Sequence, residues 1–257
     1  MNYYILNDQN ITDYIRATKE LAGFFVGEEI EAQEIGDGNL NLVFIVKSRS
    51  NSIIVKQAIP FLRCVGESFP LAKERMRYEI RSMLEYEKLA PSFVPKIFHT
   101  DENMCVIAMQ NLDSHVIMRK GILEGIKYPH FAEHISEYLS KTLFGTSSLA
   151  LSSADKRALM DKFTMNTELC KLTEDFVFTA PFMTDPTNRH NPELNEEVKR
   201  IRHDDAFKAA VLELKYIFMN RSESLIHGDL HTGSVMLNSE ETFIIDSEFA
   251  FFWAYWI

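Results

Sequence analysis

Two short apolar runs in the last part of the chain each end in an acid-bearing turn: Ser224-Leu225-Ile226-His227-Gly228-Asp229-Leu230-His231-Thr232-Gly233-Ser234, and then Phe243-Ile244-Ile245-Asp246-Ser247-Glu248. The first run reads as a strand that delivers Asp229 on a loop, the second as a strand that delivers two carboxylates a little further on. Phosphoryl transfer needs one carboxylate to orient and deprotonate an acceptor hydroxyl, and others to hold the magnesium that neutralises nucleotide phosphates. This spacing supplies both. Asp246 and Glu248 stand two apart, so they project to one side and reach one metal if the extended backbone persists through them. His227, just before its loop, reads as a residue that fixes backbone by hydrogen bonding rather than as a base.

The rest of the chain falls into a β-rich part and a helical part. From Ile30 to about Leu112 strands dominate. A turn-rich stretch around Gly36-Asp37-Gly38-Asn39 leads into Leu40 to Val46, and Ser52 to Lys56 follows the turn-like Ser48-Arg49-Ser50-Asn51-Ser52. Lys73 to Lys88 carries Met76, Ile80, Met83 and Leu84 at helical spacing, and Val94 to Phe98 and Met104 to Met109 read as two further strands around a turn at Asp101 to Asn103. After Asp113 the pattern turns helical, with one stripe at Phe131, Ile135, Leu139 and Leu143. A second long segment is marked by Val198, Ile201, Ala209, Leu212 and Tyr216, and Thr179 to Pro192 reads as an irregular connection between them.

The glycine-rich turn offers backbone amides that can cover phosphates, a weak signal alone because many hairpins carry Gly and Asn. Lys56 ends its strand like the lysine that pairs nucleotide phosphates in kinases. Glu79, in the helix that follows, is the chosen partner for its ammonium, with Glu74 and Glu85 as competitors.

Composition excludes several other classes. With 27 Lys+Arg against 37 Asp+Glu the formal charge is -10, which repels nucleic acid and anionic membranes, and no basic patch interleaved with aromatics offsets it. Cys64, Cys105 and Cys170 are odd in number and widely spaced, with no CxxC pair, so neither a disulfide framework nor a zinc site is expected. The amino-terminal residues lack the basic start and apolar run of a signal peptide, which places the expected protein in the cytoplasm.

The strings Gly36-Asp37-Gly38-Asn39-Leu40-Asn41-Leu42-Val43-Phe44, Ile54-Val55-Lys56-Gln57, Ile226 to Ser234 and Ile245-Asp246-Ser247-Glu248-Phe249-Ala250-Phe251 resemble those of the protein-kinase-like small-molecule phosphotransferases, and more narrowly those of the 5-methylthioribose kinase family. Ser234 stands where protein kinases carry Asn, and Asp246-Ser247-Glu248 where they carry Asp-Phe-Gly. The resemblance implies an α+β, two-lobed kinase-like fold: a nucleotide-binding lobe over residues 1–112 and a largely helical catalytic and substrate lobe over 113–257, incomplete at its end. It implies phosphorylation of the 1-hydroxyl of 5-methylthioribose by ATP with Mg2+, in methionine salvage, by a cytoplasmic homodimer.

Carried over residue by residue, Asp229 accepts the proton of the anomeric hydroxyl and touches the substrate. Asp246 and Glu248 bind the metal and, with Ser247 between them, the nucleotide. Asn39 and Lys56 contact phosphates, and the stretch Gln110, Asn111 and Leu112 is the hinge, where backbone groups of Gln110 and Leu112 recognise adenine. The readings that compete are an aminoglycoside- or choline-kinase-like phosphotransferase, against which Glu248 argues, and a non-catalytic nucleotide-binding fragment.

Two departures from the family pattern are visible. Ser247 replaces an expected Pro, which should loosen the strand end. The ending Phe251-Phe252-Trp253-Ala254-Tyr255-Trp256-Ile257 matches nothing in the family after Phe252. Codons for Phe-Phe-Gly-Pro-Ile-Gly-Phe, read after insertion of one t, give this ending followed by a stop. The expectation is therefore a frameshifted, carboxy-terminally truncated member whose last apolar residues form an exposed patch.

Overall fold

The computed structural model describes residues 2–35, 40–63 and 66–254. Two short helices, α1 (Ile11–Ala17) and α2 (Lys19–Ala22), precede the strands β1 (Glu31–Glu34), β2 (Asn41–Lys47) and β3 (Ser52–Ala58). A small hairpin of β4 (Phe61–Leu62) and β5 (Gly66–Pro70) leads to helix α3 (Met76–Leu89), and β6 (Ile97–Asp101) and β7 (Val106–Gln110) follow. The main sheet runs β1-β2-β3-β7-β6 with antiparallel neighbours throughout. β3 lies at its centre because its β-branched run can be buried on both faces.

Strand alternation divides β3 between two cores. Ile53 and Val55 pack with Phe44, Val46, Val106 and Ala108 under Ile11, Tyr14 and Ile15 of α1. Ile54 and Ala58 face the other way, onto Met76, Ile80 and Met83 of α3. Lys56 shares that second face, so its ammonium is carried toward α3.

The remaining elements are β8 (Val116–Ile117), α4 (Met118–Leu123), α5 (Phe131–Gly145), α6 (Ser153–Asp161), α7 (Thr167–Phe176), α8 (Asn195–His203), α9 (Asp205–Asn220), β9 (Ser224–Ile226), β10 (Val235–Leu237), β11 (Thr242–Ile244) and β12 (Phe251–Trp253). Three of these strands form a sheet in the order β11-β10-β8, and β12 pairs with β9. Phe131, Ile135 and Leu139 of α5 pack with Tyr86 of α3, Tyr138, Leu225, Val235 and Ile244, so the helical part is built directly around the two acid-bearing turns. The chain is thus α+β, a β-sheet region followed by a helical one. Among the described residues no helix is long and apolar enough to cross a membrane.

Two expectations need correction. The segment read through Val198, Ile201, Ala209, Leu212 and Tyr216 is two helices, because the Asp204 side chain accepts a hydrogen bond from Phe207 N–H and starts α9 from an extended residue. Its buried residues are Val211 and Phe218, whereas Leu212 and Tyr216 are exposed. The apolar ending is not an exposed patch over the described residues. Phe251 to Trp253 form β12, registered against Ser224 to Ile226, with Phe251, Phe252 and Ala254 buried and the Trp253 ring packed edge-on against Phe178 and Phe218. Tyr255, Trp256 and Ile257 lie outside the described residues.

Candidate active site

The site assembles where the central strand, α3 and the two acidic turns converge. Lys56 Nζ lies 2.7 Å from Glu79 Oε1 and 2.6 Å from Asp246 Oδ1. The competing carboxylates are engaged elsewhere, Glu74 with Lys73 and Glu85 with Lys88. Burial pulls the Lys56 proton affinity down, but the carboxylates of Asp246, Glu79 and Glu248 more than offset it, so the group is held as an ammonium well above its usual range. Glu79 is fully buried, and burial pushes its carboxyl up to about 7 despite the opposing ammonium.

The backbone delivers Asp246 and Glu248 in a way the extended reading did not foresee. β11 ends at Ile244, Asp246 sits in the left-handed region (φ 64°, ψ 45°), and Ser247 to Phe249 make one 3-10 turn. The two acids therefore meet the cluster through a tight turn rather than as neighbours on one face of a strand. Asp246 keeps 45% of its side chain open beside Lys56, while Glu248 is buried, its Oε2 accepting from Asn41 Nδ2 at 3.0 Å and lying 3.3 Å from Arg75 Nε.

Ser247 does not loosen this turn. Its hydroxyl lies 2.7 Å from that of Ser82, which also donates to the Ser247 carbonyl, and Asn166 Nδ2 donates to the carbonyls of Glu248 and Ala250. Arg75, Glu79 and Ser82 stand four and then three residues apart, one side of a helix and the turn before it. Together they hold Glu248, the lysine on Asp246, and Ser247. None of Arg75, Ser82 and Asn166 was singled out from sequence, although the spacing of Arg75, Glu79 and Ser82 was there to be read.

On the other turn, the Asp229 N–H points to His227 Nδ1 at 3.3 Å, so the proton of the buried ring is on Nε2, which donates to the Ile245 carbonyl at 2.8 Å. Burial lowers the His227 pKa from its usual value and favours this neutral form. His227 thereby ties the Asp229 loop to the residue before Asp246. The Ser234 hydroxyl donates to the Asp229 carbonyl. The Asp229 carboxylate is half exposed, with His231 Nε2 3.6 Å from its Oδ2.

Gly228 adopts φ 84°, and a Cβ there would stand 2.1 Å from the Phe249 carbonyl oxygen. Gly228→Ala is expected to lower stability by about 2 kcal/mol or more, since both the backbone and the 3-10 turn must shift. Urea unfolding measures this, and an unchanged midpoint would refute it.

At the stretch expected to be the hinge, Gln110 N–H donates to the Lys96 carbonyl, the Leu112 carbonyl accepts from His115 N–H, and Asn111 Nδ2 donates to Ser52 Oγ. Asn39 lies outside the described residues.

Three carboxylates, Glu79, Asp246 and Glu248, meet two cations, Lys56 and Arg75, so with all five ionised the cluster carries an excess negative charge. Mg2+ is commonly held by one or two carboxylates with phosphate oxygens completing its shell. The open Asp246 and the fixed Glu248 suit that donor set.

Residues 31–252, most of the chain, match the phosphotransferase enzyme family, and the chain belongs to it. Among curated relatives it is similar to methylthioribose kinase 1 of Oryza sativa subsp. japonica, 41% identical over 251 residues covering 96% of this chain and 58% of the relative. It is also similar to the methylthioribose kinase of Geobacillus sp. (strain WCH70), 43% identical over 228 residues covering 88% of this chain and 57% of the relative. The chain spans less than two thirds of the length of these relatives. Among solved structures, an ethanolamine kinase of Plasmodium vivax shares the fold with a TM-score of 0.55 at 13% identity, covering 99% of this chain and 67% of that one.

Proposed function

We propose that this chain phosphorylates the 1-hydroxyl of 5-methylthioribose with ATP, giving 5-methylthioribose 1-phosphate and ADP in methionine salvage. The observation that carries the reading is the similarity, over nearly the whole chain, to relatives named methylthioribose kinase. The arrangement of Asp229, Lys56, Asp246 and Glu248 supplies the chemistry. On this reading residues 1–112 form the nucleotide lobe and 113–257 the catalytic and substrate lobe. The resemblance extends it to a cytoplasmic homodimer.

Asp229 receives the proton of the anomeric hydroxyl as that oxygen bonds to the γ-phosphorus and the bridging oxygen leaves with ADP. Its half-open carboxylate has room for the sugar. Lys56 moves from Asp246 toward the phosphates, still paired with Glu79, and Asn39 covers them. Asp246 and Glu248 hold Mg2+, with Ser247 fixing the turn between them. Mg2+ supplies charge neutralisation to the phosphates. At the hinge the Gln110 carbonyl and the Leu112 N–H meet adenine, because the Gln110 N–H and the Leu112 carbonyl are already used and the Asn111 side chain is turned to β3.

The test is transfer from γ-labelled ATP in the presence of Mg2+, with methylthioribose, choline and an aminoglycoside offered in parallel. Label in methylthioribose alone is the expected result. Binding of MgATP without transfer, or preference for another acceptor, overturns the reading.

A further inference from the structure

The buried guanidinium of Arg75 has no place in the chemistry described so far, yet it touches both halves of the nucleotide site. Its side chain is 2% exposed. Nη1 donates to the Ile59 and Ala72 carbonyls at 2.8 and 3.0 Å, which locks the fork to the backbone on either side of the β4-β5 hairpin. Nη2 donates to the Leu40 carbonyl at 2.6 Å and to Asn41 Oδ1 at 2.8 Å. Nε is 3.3 Å from Glu248 Oε2, but its proton is not aligned on that oxygen, so this contact is one of charge. Asn41 closes the figure: its Oδ1 accepts from Arg75 and its Nδ2 donates to the same Glu248 oxygen.

We infer that Arg75 is a positioning residue that couples nucleotide binding to metal binding, through Leu40 and Asn41 on one side and Glu248 on the other. The inference rests on the reading of this cleft as a site for ATP and Mg2+. Leu40 and Asn41 stand at the start of β2, where Asn41 pairs with Ala58, two residues along β3 from Lys56, so a phosphate drawn to Lys56 moves or fixes them. Glu248 sits 5% exposed and presents to a metal whichever oxygen the Arg75 and Asn41 contacts leave. Any shift of Leu40 and Asn41 is thus transmitted to the carboxylate through one rigid fork, and by linkage a metal on Glu248 holds these two residues. Lysine keeps the charge at this position but cannot span four acceptors with one ammonium.

The experiment is calorimetric titration of ADP into wild-type, Arg75→Lys and Asn41→Leu protein, with Mg2+ and with EDTA. The ratio of the two dissociation constants is the coupling. The wild-type protein is expected to bind ADP more tightly with Mg2+, and each variant to lose about tenfold of that ratio. Affinity in EDTA should stay within about threefold of wild type, a pattern that a merely structural role, which weakens both states alike, does not give. Asn41→Leu keeps the buried cation and carries the test if Arg75→Lys does not fold. An unchanged ratio in the folded variants, or no coupling in the wild type, overturns the inference. Failure to phosphorylate methylthioribose while the coupling persists overturns the proposed substrate and leaves Arg75 in its role.

Discussion

Asp229→Asn is expected to lower phosphoryl transfer by about 10²- to 10⁴-fold while MgATP affinity stays within about twofold of wild type. The separation follows from how the loop is held. The Asp229 N–H points to His227 Nδ1 and its carbonyl accepts from Ser234 Oγ, so backbone groups fix the turn, and the side chain is left half exposed with His231 as its near neighbour. An asparagine of the same shape leaves those bonds intact and removes only the proton acceptor. The proposed nucleotide contacts lie on other elements: Lys56 on β3, and Asp246 and Glu248 on the turn after β11. Steady-state transfer assays paired with calorimetric binding of MgATP measure both quantities. Undiminished turnover removes Asp229 from the mechanism, and a parallel loss of MgATP binding shows that the loop, not the proton acceptor, was altered.

The residues whose chemistry is loud in sequence were the ones legible without coordinates. Asp229, Asp246 and Glu248 follow apolar runs that are strands, so their place on the turns beyond could be read directly, whereas Lys56, read as a strand end, lies inside β3, which runs on to Ala58. The partner of Lys56 was one of three glutamates in or beside one helix. Only the sheet decides, because alternation along β3 sends Lys56 to the face where Met76, Ile80 and Met83 also point, and Glu79 lies on that side of α3.

The local backbone was less legible. A left-handed Asp246 is set by the bonds that Ser82 and Asn166 make to the turn after it, residues far away in sequence, and no periodicity reports such contacts. For the same reason Ser247 looked like a weakened proline position, when its hydroxyl is in fact a buried partner of Ser82. Arg75, Glu79 and Ser82 form a polar stripe beside an apolar one. Helical pattern reading scores the apolar residues, so the stripe that carries the site passed unseen.

Lys56→Met is expected to be the most destabilising of these substitutions, by about 3–5 kcal/mol, because it leaves the buried Glu79 carboxylate without its cation. The pH dependence gives this a sharper form. Burial holds the folded-state Glu79 carboxyl at about 7, above its unfolded value, so it contributes stability at low pH that is lost as pH rises through 7. The ammonium of Lys56 is the group that restrains this rise. Without it the folded-state value climbs further, and the variant goes on losing stability above pH 7 where the wild type has levelled off.

The stability gap between the two proteins should therefore be roughly constant below pH 7 and widen above it, by at most about 1.4 kcal/mol per pH unit. Urea unfolding at pH 6 and at pH 8.5 measures the gap, and Lys56→Met combined with Glu79→Gln supplies the control. Glutamine cannot ionise, and Glu79 Oε2 already lacks a hydrogen-bond partner among the described residues, so the double variant should lose the widening. A gap of the same size at both pH values would mean that Glu79 is not the group whose charge Lys56 holds in the core.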